Sequence, residues 1–447
     1  MFKTVAVILV NDLFLCGAED CNTLKRVLLV LNHLNYLVKK VSVLHKNERI
    51  ITNELDTLAK QFDVVIIVEK LADDAVFKAL ANVTYQNLTT NLKPKERVQE
   101  CNNYQLPVCA KALTSNDSLY PVVQVQGIFV LSEKYLETQL RLLSKRLEQY
   151  RTQAKYSKVL RLQLNGNLTQ VLNRIKELQV KHVCQKKDAE VCVTLESPSF
   201  ENLVESERAI RDLKINIVDS HIGSNSLQSI HMDPDERIRQ AIETIETCLQ
   251  ENGPENVFLS FNGGKDCTVL LHLIYTVLKI KYPSYKNPIV CLYVQSENAF
   301  PEQDQFISQC QTYFNLEVIT VVQSIKQALG KILAMKPNLK ACFMGTRRTD
   351  PYSSDLKVFQ MTDRDWPQVM RVSPLLDWHY SDIWDYLLYY KVPYCKLYDM
   401  GFTSLGNASN TIRNPSLLYK DIYLGAEVYL PAYKMLNENK ERSGRHI

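Results

Sequence analysis

The chain has 447 residues, of which 46% are hydrophobic and 23% are charged. This composition is typical of a globular protein with room for two domains. The net charge of +4 gives no electrostatic reason to expect a nucleic-acid partner. No apolar run approaches the length of a membrane span, so we expect no membrane partner either. The 12 cysteines form no Cys-x-x-Cys pair, which argues against a zinc site and favours a reducing, cytoplasmic location.

The first 216 residues alternate short apolar runs with helical patterns, an order typical of an α/β domain. The apolar runs are short enough for strands, and the longer segments carry apolar residues at helical spacing. We expect strands at Thr4–Val10, Val41–Leu44, Val64–Val68, Val159–Leu164 and Val191–Leu195, and helices at Asn22–Leu37, Leu136–Tyr150 and Phe200–Ile215.

The residues after the first strand resemble the opening of the molybdopterin-binding domain family, through Asp12 and the Asn-Thr pair that begins at Asn22. That family usually has glycine and glutamate beside this aspartate, where the chain has Asn11 and Leu13. Its later Gly-Gly-x-Gly turn is replaced by a stretch that begins with Glu69. Without those glycines the backbone cannot approach a phosphate closely, and Glu69 would repel one. The resemblance implies a degenerate domain over residues 1–216 with a structural or regulatory role.

Two acidic residues leave a second interpretation of this half open. Asp73 and Asp74 could serve a metal-dependent activity. Acidic residues also suit the N-terminal end of a helix dipole, and we favour a helix start at this point.

Residues 217–232 break the alternating pattern with a polar stretch that contains glycine and several serines, which predicts a flexible linker. A second domain is then expected over residues 233–447. It opens with a helix after Asp233-Pro234 and continues as strands that alternate with helices. This order predicts a doubly wound parallel sheet, so the fold class is α/β with two domains, each a mostly parallel sheet flanked by helices.

A glycine loop follows the first strand of the second domain. Val257–Phe261 is expected to be that strand, Gly263 and Gly264 belong to a tight turn, and the sequence from Cys267 predicts an apolar helix. A strand that turns through glycines into a helix directs backbone N–H groups at an anion. The next residues, Lys-Asp, supply a positive charge and a carboxylate, which suits a phosphate chain that carries Mg²⁺. An ordinary turn with two convenient glycines is the alternative.

A second polar cluster follows the expected strand Lys340–Met344 and contains Arg347, Arg348 and Asp350. Two arginines and an aspartate at the end of a strand can clamp phosphates and hold Mg²⁺. An isolated Arg-Arg pair would more often be a solvated turn. Because the strand ends of a parallel sheet share one edge, we expect this cluster to lie beside the glycine loop.

The glycine loop resembles the pyrophosphate loop of the ATP pyrophosphatases and the phosphoadenylylsulfate (PAPS) reductase-like enzymes. Over residues 233–447 the motifs and their order resemble the FAD synthase family. The resemblance implies a PAPS reductase-like fold of the adenine nucleotide alpha-hydrolase type. It also implies transfer of AMP from ATP to FMN, giving FAD and pyrophosphate. The matching stretches are Ser260–Thr268, Lys326–Gly330, Met344–Tyr352, Pro374–Trp378, Gly401–Gly406 and Glu441–Arg445.

This resemblance implies ATP and FMN as substrates, Mg²⁺ as the cofactor, and transfer of FAD to client apo-flavoproteins. It also implies roles for individual residues. The metal ligands would be Asp266 and Asp350, and both arginines of the tail would close on the FMN phosphate. The residues implied in catalysis are Asn262, Asp266, Asp350, Arg442 and Arg445. Those implied in binding the nucleotide or the flavin are Ser260, Phe261, Asn262, Gly263, Gly264, Lys265, Arg347, Asp377, Trp378 and Arg413.

Two other functions are weaker interpretations of the same motifs. A PAPS-reducing or thiolating enzyme would need a nucleophilic thiol, and no cysteine follows Cys395 in the tail. A non-catalytic flavin- or nucleotide-binding protein is the third hypothesis. The intact glycine loop, Asp350 and the tail arginines argue against it, because a dead site should have lost some of them.

Overall fold

The computed structural model describes residues 3–15, 22–70, 74–89, 105–114, 120–151, 156–163, 173–174, 177, 181–187, 190–213, 216–222, 226–421 and 426–445. Within them the chain forms two six-stranded sheets, one four-stranded sheet and two short strand pairs. Both six-stranded sheets are mixed but mainly parallel, which confirms the α/β class. No helix in these ranges combines the length and apolar character that a bilayer crossing requires.

The first sheet belongs to the N-terminal part of the chain. Its first four strands are parallel, and the last two are added through antiparallel pairings. The strand that starts at Leu37 occupies residues expected to end a helix, so that helix is shorter than predicted. In spatial order the strands are Leu37–Leu44, Thr4–Val10, Val64–Glu69, Ile128–Ser132, Val122–Val125 and Lys111–Leu113. The helices are Asp12–Leu15, Asn22–His33, Glu48–Gln61, Asp74–Thr84 and Leu136–Arg151.

The second sheet is antiparallel and was not expected from the alternating pattern. Its strands are, in order, Lys181–Lys187, Glu190–Ser197, Tyr156–Gln163 and Asn216–Ile222, and the helix Phe200–Arg211 packs on it. The stretch predicted as a flexible linker therefore contains regular structure, namely an edge strand and the short helix Ser226–His231. The apolar side chains of this sheet lie in the same core cluster as those of the C-terminal part. The division into domains at residue 216 stays a prediction.

The third sheet positions the candidate site. Its central strand Val257–Ser260 pairs with Ile289–Val294 on one side and with Ala341–Phe343 on the other, both parallel. The strands that follow in sequence are therefore added first on one side of this strand and later on the other. Ligands of doubly wound sheets bind at the carboxyl ends of the strands where the strand order reverses in this way. In order the strands are Leu316–Val321, Ile289–Val294, Val257–Ser260, Ala341–Phe343, Met370–Val372 and Phe359–Met361.

Five helices flank this sheet, and short 3₁₀ turns and a small hairpin follow them. The helix Lys265–Lys281 is buried along most of its length, which explains its nearly continuous apolar sequence. The helices are Glu236–Asn252, Lys265–Lys281, Pro301–Phe314, Ile325–Met335 and Tyr380–Tyr389. The short strand pairs are Leu418–Asp421 with Ala426–Tyr429, and Leu88–Thr89 with Leu106–Pro107. The 3₁₀ turns of the last fifty residues are Lys396–Met400, Ala408–Asn410, Pro415–Leu417, Ala432–Lys434 and Glu438–Lys440.

A buried charge network joins the N-terminal sheet to the helix Tyr380–Tyr389. Asp385 on this helix lies 2.9 Å from Nζ of Lys111 and 2.7 Å from Nη2 of Arg146, and it accepts a hydrogen bond of 3.0 Å from Gln124. Asp235 also pairs with Lys111, at 3.1 Å. Burial alone would lower the pKa of Lys111, but the surrounding carboxylates raise it above its ordinary value. Lys111 therefore stays charged, and these ion pairs join the N-terminal sheet to the helix Tyr380–Tyr389.

We expect buried His272 to make the free energy of unfolding sensitive to acid. This residue belongs to the helix Lys265–Lys281, and Nδ1 of its imidazole lies 2.9 Å from the hydroxyl of Tyr386. Burial lowers its pKa to about 4. The unfolded chain binds this proton below a pH of about 6.5, but the folded chain does not until the pH approaches 4. Stability is therefore lost as the pH falls from 6.5 towards 4, by about 3 kcal/mol at one pKa unit per 1.36 kcal/mol.

Urea unfolding at pH 7.5 and pH 4.5 measures this loss. The variant His272→Gln cannot take up the proton and should show a smaller difference between the two pH values. An equal difference in both proteins would assign the acid sensitivity to other groups.

Candidate active site

The glycine loop has the geometry of an anion-binding turn. Gly263 has a positive φ of 71°, a conformation that glycine adopts without strain. The side-chain oxygen of Asn262 accepts a hydrogen bond of 3.0 Å from the N–H of Gly264, which closes the turn. The helix begins at Lys265, two residues earlier than expected. The positive end of its dipole therefore lies at the carboxyl edge of the sheet.

The second cluster lies beside this loop, as the shared sheet edge predicts. Gly345, which follows the strand Ala341–Phe343, packs directly against the start of the helix. A Cβ added to this glycine would lie 2.8 Å from the backbone nitrogen of Cys267. The close approach brings Arg347 to Asp266, with Nε of the arginine 2.8 Å from Oδ1 of the aspartate. The other oxygen of Asp266 lies 2.9 Å from Nζ of Lys265.

A third carboxylate completes the cluster from the C-terminal tail. Both oxygens of Glu441 accept hydrogen bonds from Nη2 of Arg347, at 2.8 and 2.6 Å, and the carboxylate also contacts Nζ of Lys265. The side chains of Lys265 and Arg347 are only 2% and 1% exposed. Two buried cations are thus held between two carboxylates, those of Asp266 and Glu441.

The same contacts set the charges of the cluster. Burial by itself would raise the pKa of Asp266, but Arg347 and Lys265 outweigh it and hold the pKa below its usual range. Burial would lower the pKa of Arg347, and Asp266 and Glu441 raise it instead. Asp266 and Arg347 are therefore both charged at neutral pH.

Asp350 and Arg442 extend the cluster towards solvent. One oxygen of Asp350 accepts a hydrogen bond of 2.9 Å from the N–H of Arg347, and the other lies 3.0 Å from Nη2 of Arg442. The guanidinium of Arg442 is about half exposed, at 46%. The six charges of the site are three cations and three anions, so the described cluster is neutral. We call these six side chains the charge cluster: Lys265, Asp266, Arg347, Asp350, Glu441 and Arg442.

Other residues expected at the site lie outside the charge cluster. Asp377 is exposed and pairs with Arg348, and the ring of Trp378 is buried against Tyr386. The guanidinium of Arg413 lies over the ring of Tyr429, at 5.4 Å. Phe261 is fully buried, Ser260 is half-buried at the end of its strand, and Arg445 contacts Ser404 at 3.5 Å. Their binding roles stay predictions.

Two residues of the site carried no assigned role in the sequence. Glu441 belongs to the matching tail stretch, but its partner Lys265 lies 176 positions away. The hydroxyl of Tyr398 accepts a hydrogen bond of 2.8 Å from the backbone N–H of Lys265, and its partner is also distant in sequence. Proximity to Arg442 was the one signal that could have suggested Glu441.

The cysteine next to the loop is a poor nucleophile. Cys267 is buried, and burial raises the pKa of its thiol to about 12. Cys395, the last cysteine of the chain, is also buried, which raises its pKa to about 11. Neither thiol is ionised at neutral pH, so neither suits attack on sulfur.

Among the residues that the structure describes, the strand ends of the N-terminal sheet carry no comparable cluster. Asp12 accepts a hydrogen bond of 3.0 Å from the N–H of Lys46 and lies 3.0 Å from Nδ1 of His45. Glu69 is buried at the end of its strand. Asp74 begins a helix, as predicted, whereas Asp73 lies outside the described residues. The degenerate role expected for this half stays a prediction.

Comparisons with known proteins show similarity over both parts of the chain. Residues 256–413 match the family model of the phosphoadenosine phosphosulfate reductase domain. The probable FAD synthase of Caenorhabditis briggsae is 28% identical over 512 residues, which span 99% of this chain and 96% of that relative. The probable FAD synthase of Schizosaccharomyces pombe is 38% identical over 214 residues, which span 47% of this chain and 79% of that relative. The chain belongs to the FAD synthase family.

Among solved structures, the FMN adenylyltransferase of Candida glabrata is 28% identical, with a TM-score of 0.44. The match covers 50% of this chain and 94% of that one. In this member of the FAD synthase family, the reductase-like domain match contains Lys265, Asp266, Arg347 and Asp350. Glu441 and Arg442 come from the tail that follows it. The charge cluster therefore joins residues from inside and outside the matched domain.

Proposed function

We propose that this chain transfers the AMP moiety of ATP to FMN and releases FAD and pyrophosphate. The observation that supports this function is the charge cluster at the carboxyl edge of the third sheet. A glycine turn and a helix N-terminus lie beside the three cations of this cluster, as recognition of a phosphate chain requires. Membership of the FAD synthase family supplies the flavin as acceptor.

The reaction needs little proton transfer. The second pKa of a phosphomonoester is about 6, so the phosphate of FMN is largely a dianion at neutral pH. It can attack the α-phosphorus of ATP directly, and the bond to the β-phosphate oxygen breaks as pyrophosphate leaves. The protein must hold two anions together, shield their repulsion and stabilise the leaving group. The charge cluster can do these things without a general base.

We assign roles from position in the structure. The turn at Gly263 and the ammonium of Lys265 hold the phosphates of ATP. Arg347, which is 1% exposed, orders the site electrostatically through its contacts with Asp266 and Glu441. Arg442, which is half exposed, is placed to contact the phosphate of FMN, and Asp350 orients it through their 3.0 Å ion pair.

The described residues contain no group of three or more His, Cys, Asp or Glu side chains that could hold a metal by themselves. Mg²⁺ bound with a nucleotide needs only one or two protein carboxylates, because phosphate oxygens and water supply the other ligands. Asp266 and Asp350 have the oxygen donors that this ion prefers, and both are tied to Arg347. We therefore propose that they hold Mg²⁺, which when bound would neutralise phosphate charge and make pyrophosphate a better leaving group.

A thiol-based reaction on PAPS is less well supported, because burial raises the pKa of Cys267 to about 12. A cytoplasmic location and the delivery of FAD to apo-flavoproteins stay predictions from the sequence.

Incubation of the full chain with FMN, ATP and Mg²⁺ tests the proposal, with FAD measured by chromatography. We expect FAD and pyrophosphate in equal amounts. The full chain is the right sample, because the strands Tyr156–Gln163 and Glu190–Ser197 and the helix Phe200–Arg211 share a core with the C-terminal part. If ATP binds but no FAD forms, the chain is a binding protein and the proposed function is wrong.

A further inference from the structure

Glu441 has been given no role of its own in the proposed reaction, although it contacts both buried cations of the site. Its carboxylate accepts two hydrogen bonds from Arg347 and contacts Lys265. We propose that Glu441 is a positioning residue, which holds Lys265 and Arg347 as a pair in the geometry that receives phosphate. This inference rests on the proposed function, because its main readout is FAD formation.

The backbone that carries Glu441 is firmly anchored. Its carbonyl oxygen accepts a hydrogen bond of 2.5 Å from the hydroxyl of Thr403, and the carbonyl of Lys440 accepts one of 2.7 Å from Asn414. Both donors are buried, with Thr403 2% exposed and Asn414 fully buried. The carboxylate is therefore a fixed counter-ion.

Charge balance explains why the cations need this counter-ion. Asp266 contacts Lys265 through one oxygen and Arg347 through the other. Without Glu441, this one carboxylate would serve two buried cations that repel each other. The two side chains would then move apart. Both oxygens of Glu441 face cations, so its effect on substrate passes through them.

Neighbouring contacts link Glu441 to the positions of both Lys265 and Arg442. The ammonium of Lys265 lies 5.2 Å from the ring centre of Tyr380, which together with Glu441 limits its direction. Arg442 follows Glu441 directly in the chain and reaches Asp350. The anchored backbone of Glu441 therefore also fixes the backbone position of Arg442.

The experiment compares Glu441→Gln with Glu441→Asp in the full chain. Glutamine keeps the shape and removes the charge, so kcat for FAD formation should fall by about 10²-fold, and KM for FMN should change by a smaller factor. Aspartate restores the charge on a shorter side chain and should recover part of kcat. The exposed Glu427, changed to glutamine, is the charge-matched control and should behave as the wild type. A wild-type kcat in Glu441→Gln, or a lower melting temperature with kcat unchanged, would overturn the proposal.

A double-mutant cycle shows whether Glu441 acts through its partner. Arg347→Lys removes the two-bond contact, so adding Glu441→Gln should slow the enzyme little further. Fully additive losses would contradict the inference. If Glu441→Gln does not fold, Glu441→Asp carries the same cycle. If the wild type forms no FAD, the proposed function fails separately. In that case, calorimetry measures the affinity of the wild type and of Glu441→Gln for ATP. We expect weaker binding in the variant, and equal binding would overturn the inference.

Discussion

Replacing Asp266 by asparagine should lower kcat for FAD formation by about 10²–10³-fold. The carboxylate lies between Nζ of Lys265 and Nε of Arg347, at 2.9 and 2.8 Å. Asparagine has nearly the same shape but only one oxygen and no charge. It would weaken the hold on both cations and remove one of the two proposed Mg²⁺ ligands. Steady-state kinetics with saturating ATP and FMN measures the loss.

A matched control is available in the neighbouring loop. Asp355 is exposed and lies outside the charge cluster, so Asp355→Asn should keep the wild-type kcat. Thermal unfolding of both variants separates a lost charge from a lost fold. If Asp266→Asn retained kcat within about threefold of the wild type while the control behaved as expected, this carboxylate would have no part in the reaction.

Replacing Asp385 by asparagine should destabilise the chain by about 3–5 kcal/mol, because breaking a buried ion pair leaves its partner charge uncompensated. The carboxylate is 5% exposed and faces Lys111, Arg146 and Gln124 from the N-terminal part. Lys111 would keep Asp235 as a partner, but Arg146 would lose this ion pair. Urea unfolding, followed by tryptophan fluorescence, measures the change in the free energy of unfolding.

The exposed ion pair of Asp363 and Arg371 gives the comparison for this variant. These two side chains are 3.9 Å apart, and Asp363 is 69% exposed, so Asp363→Asn should change stability by less than about 0.5 kcal/mol. A loss below about 1 kcal/mol in Asp385→Asn would show that the two halves do not depend on this network. Limited proteolysis of both variants would report whether the contact between the halves opens.

The sequence predicted the sheet edge of the site well, because its signals are local. The glycines at 263 and 264 and the polar residues after Phe343 each sit within a few positions of a strand end. Parallel strands then bring those ends together without any further information. The pairing of Asp266 with Arg347 follows from this topology.

Local sequence patterns could not predict contacts between segments that are distant in the chain. Nothing near Lys265 indicates that its counter-ion is Glu441 or that the hydroxyl of Tyr398 accepts its N–H. The predicted linker, residues 217–232, begins with most of the edge strand Asn216–Ile222. Edge strands tolerate polar residues, and the partner of this strand lies more than fifty positions earlier. Leu37 continued an apolar helical pattern, but it begins an edge strand.

Transfer of radiolabel from ATP shows which part of the nucleotide reaches FMN. Full-length chain is incubated with FMN, Mg²⁺ and ATP labelled at the α-phosphorus or, in parallel, at the γ-phosphorus. We expect the α label to appear in FAD and the γ label in pyrophosphate, and Asp266→Asn to slow both transfers equally. Label that stays in ATP, or a γ label released as free phosphate without FAD, would contradict transfer of AMP to FMN at this site.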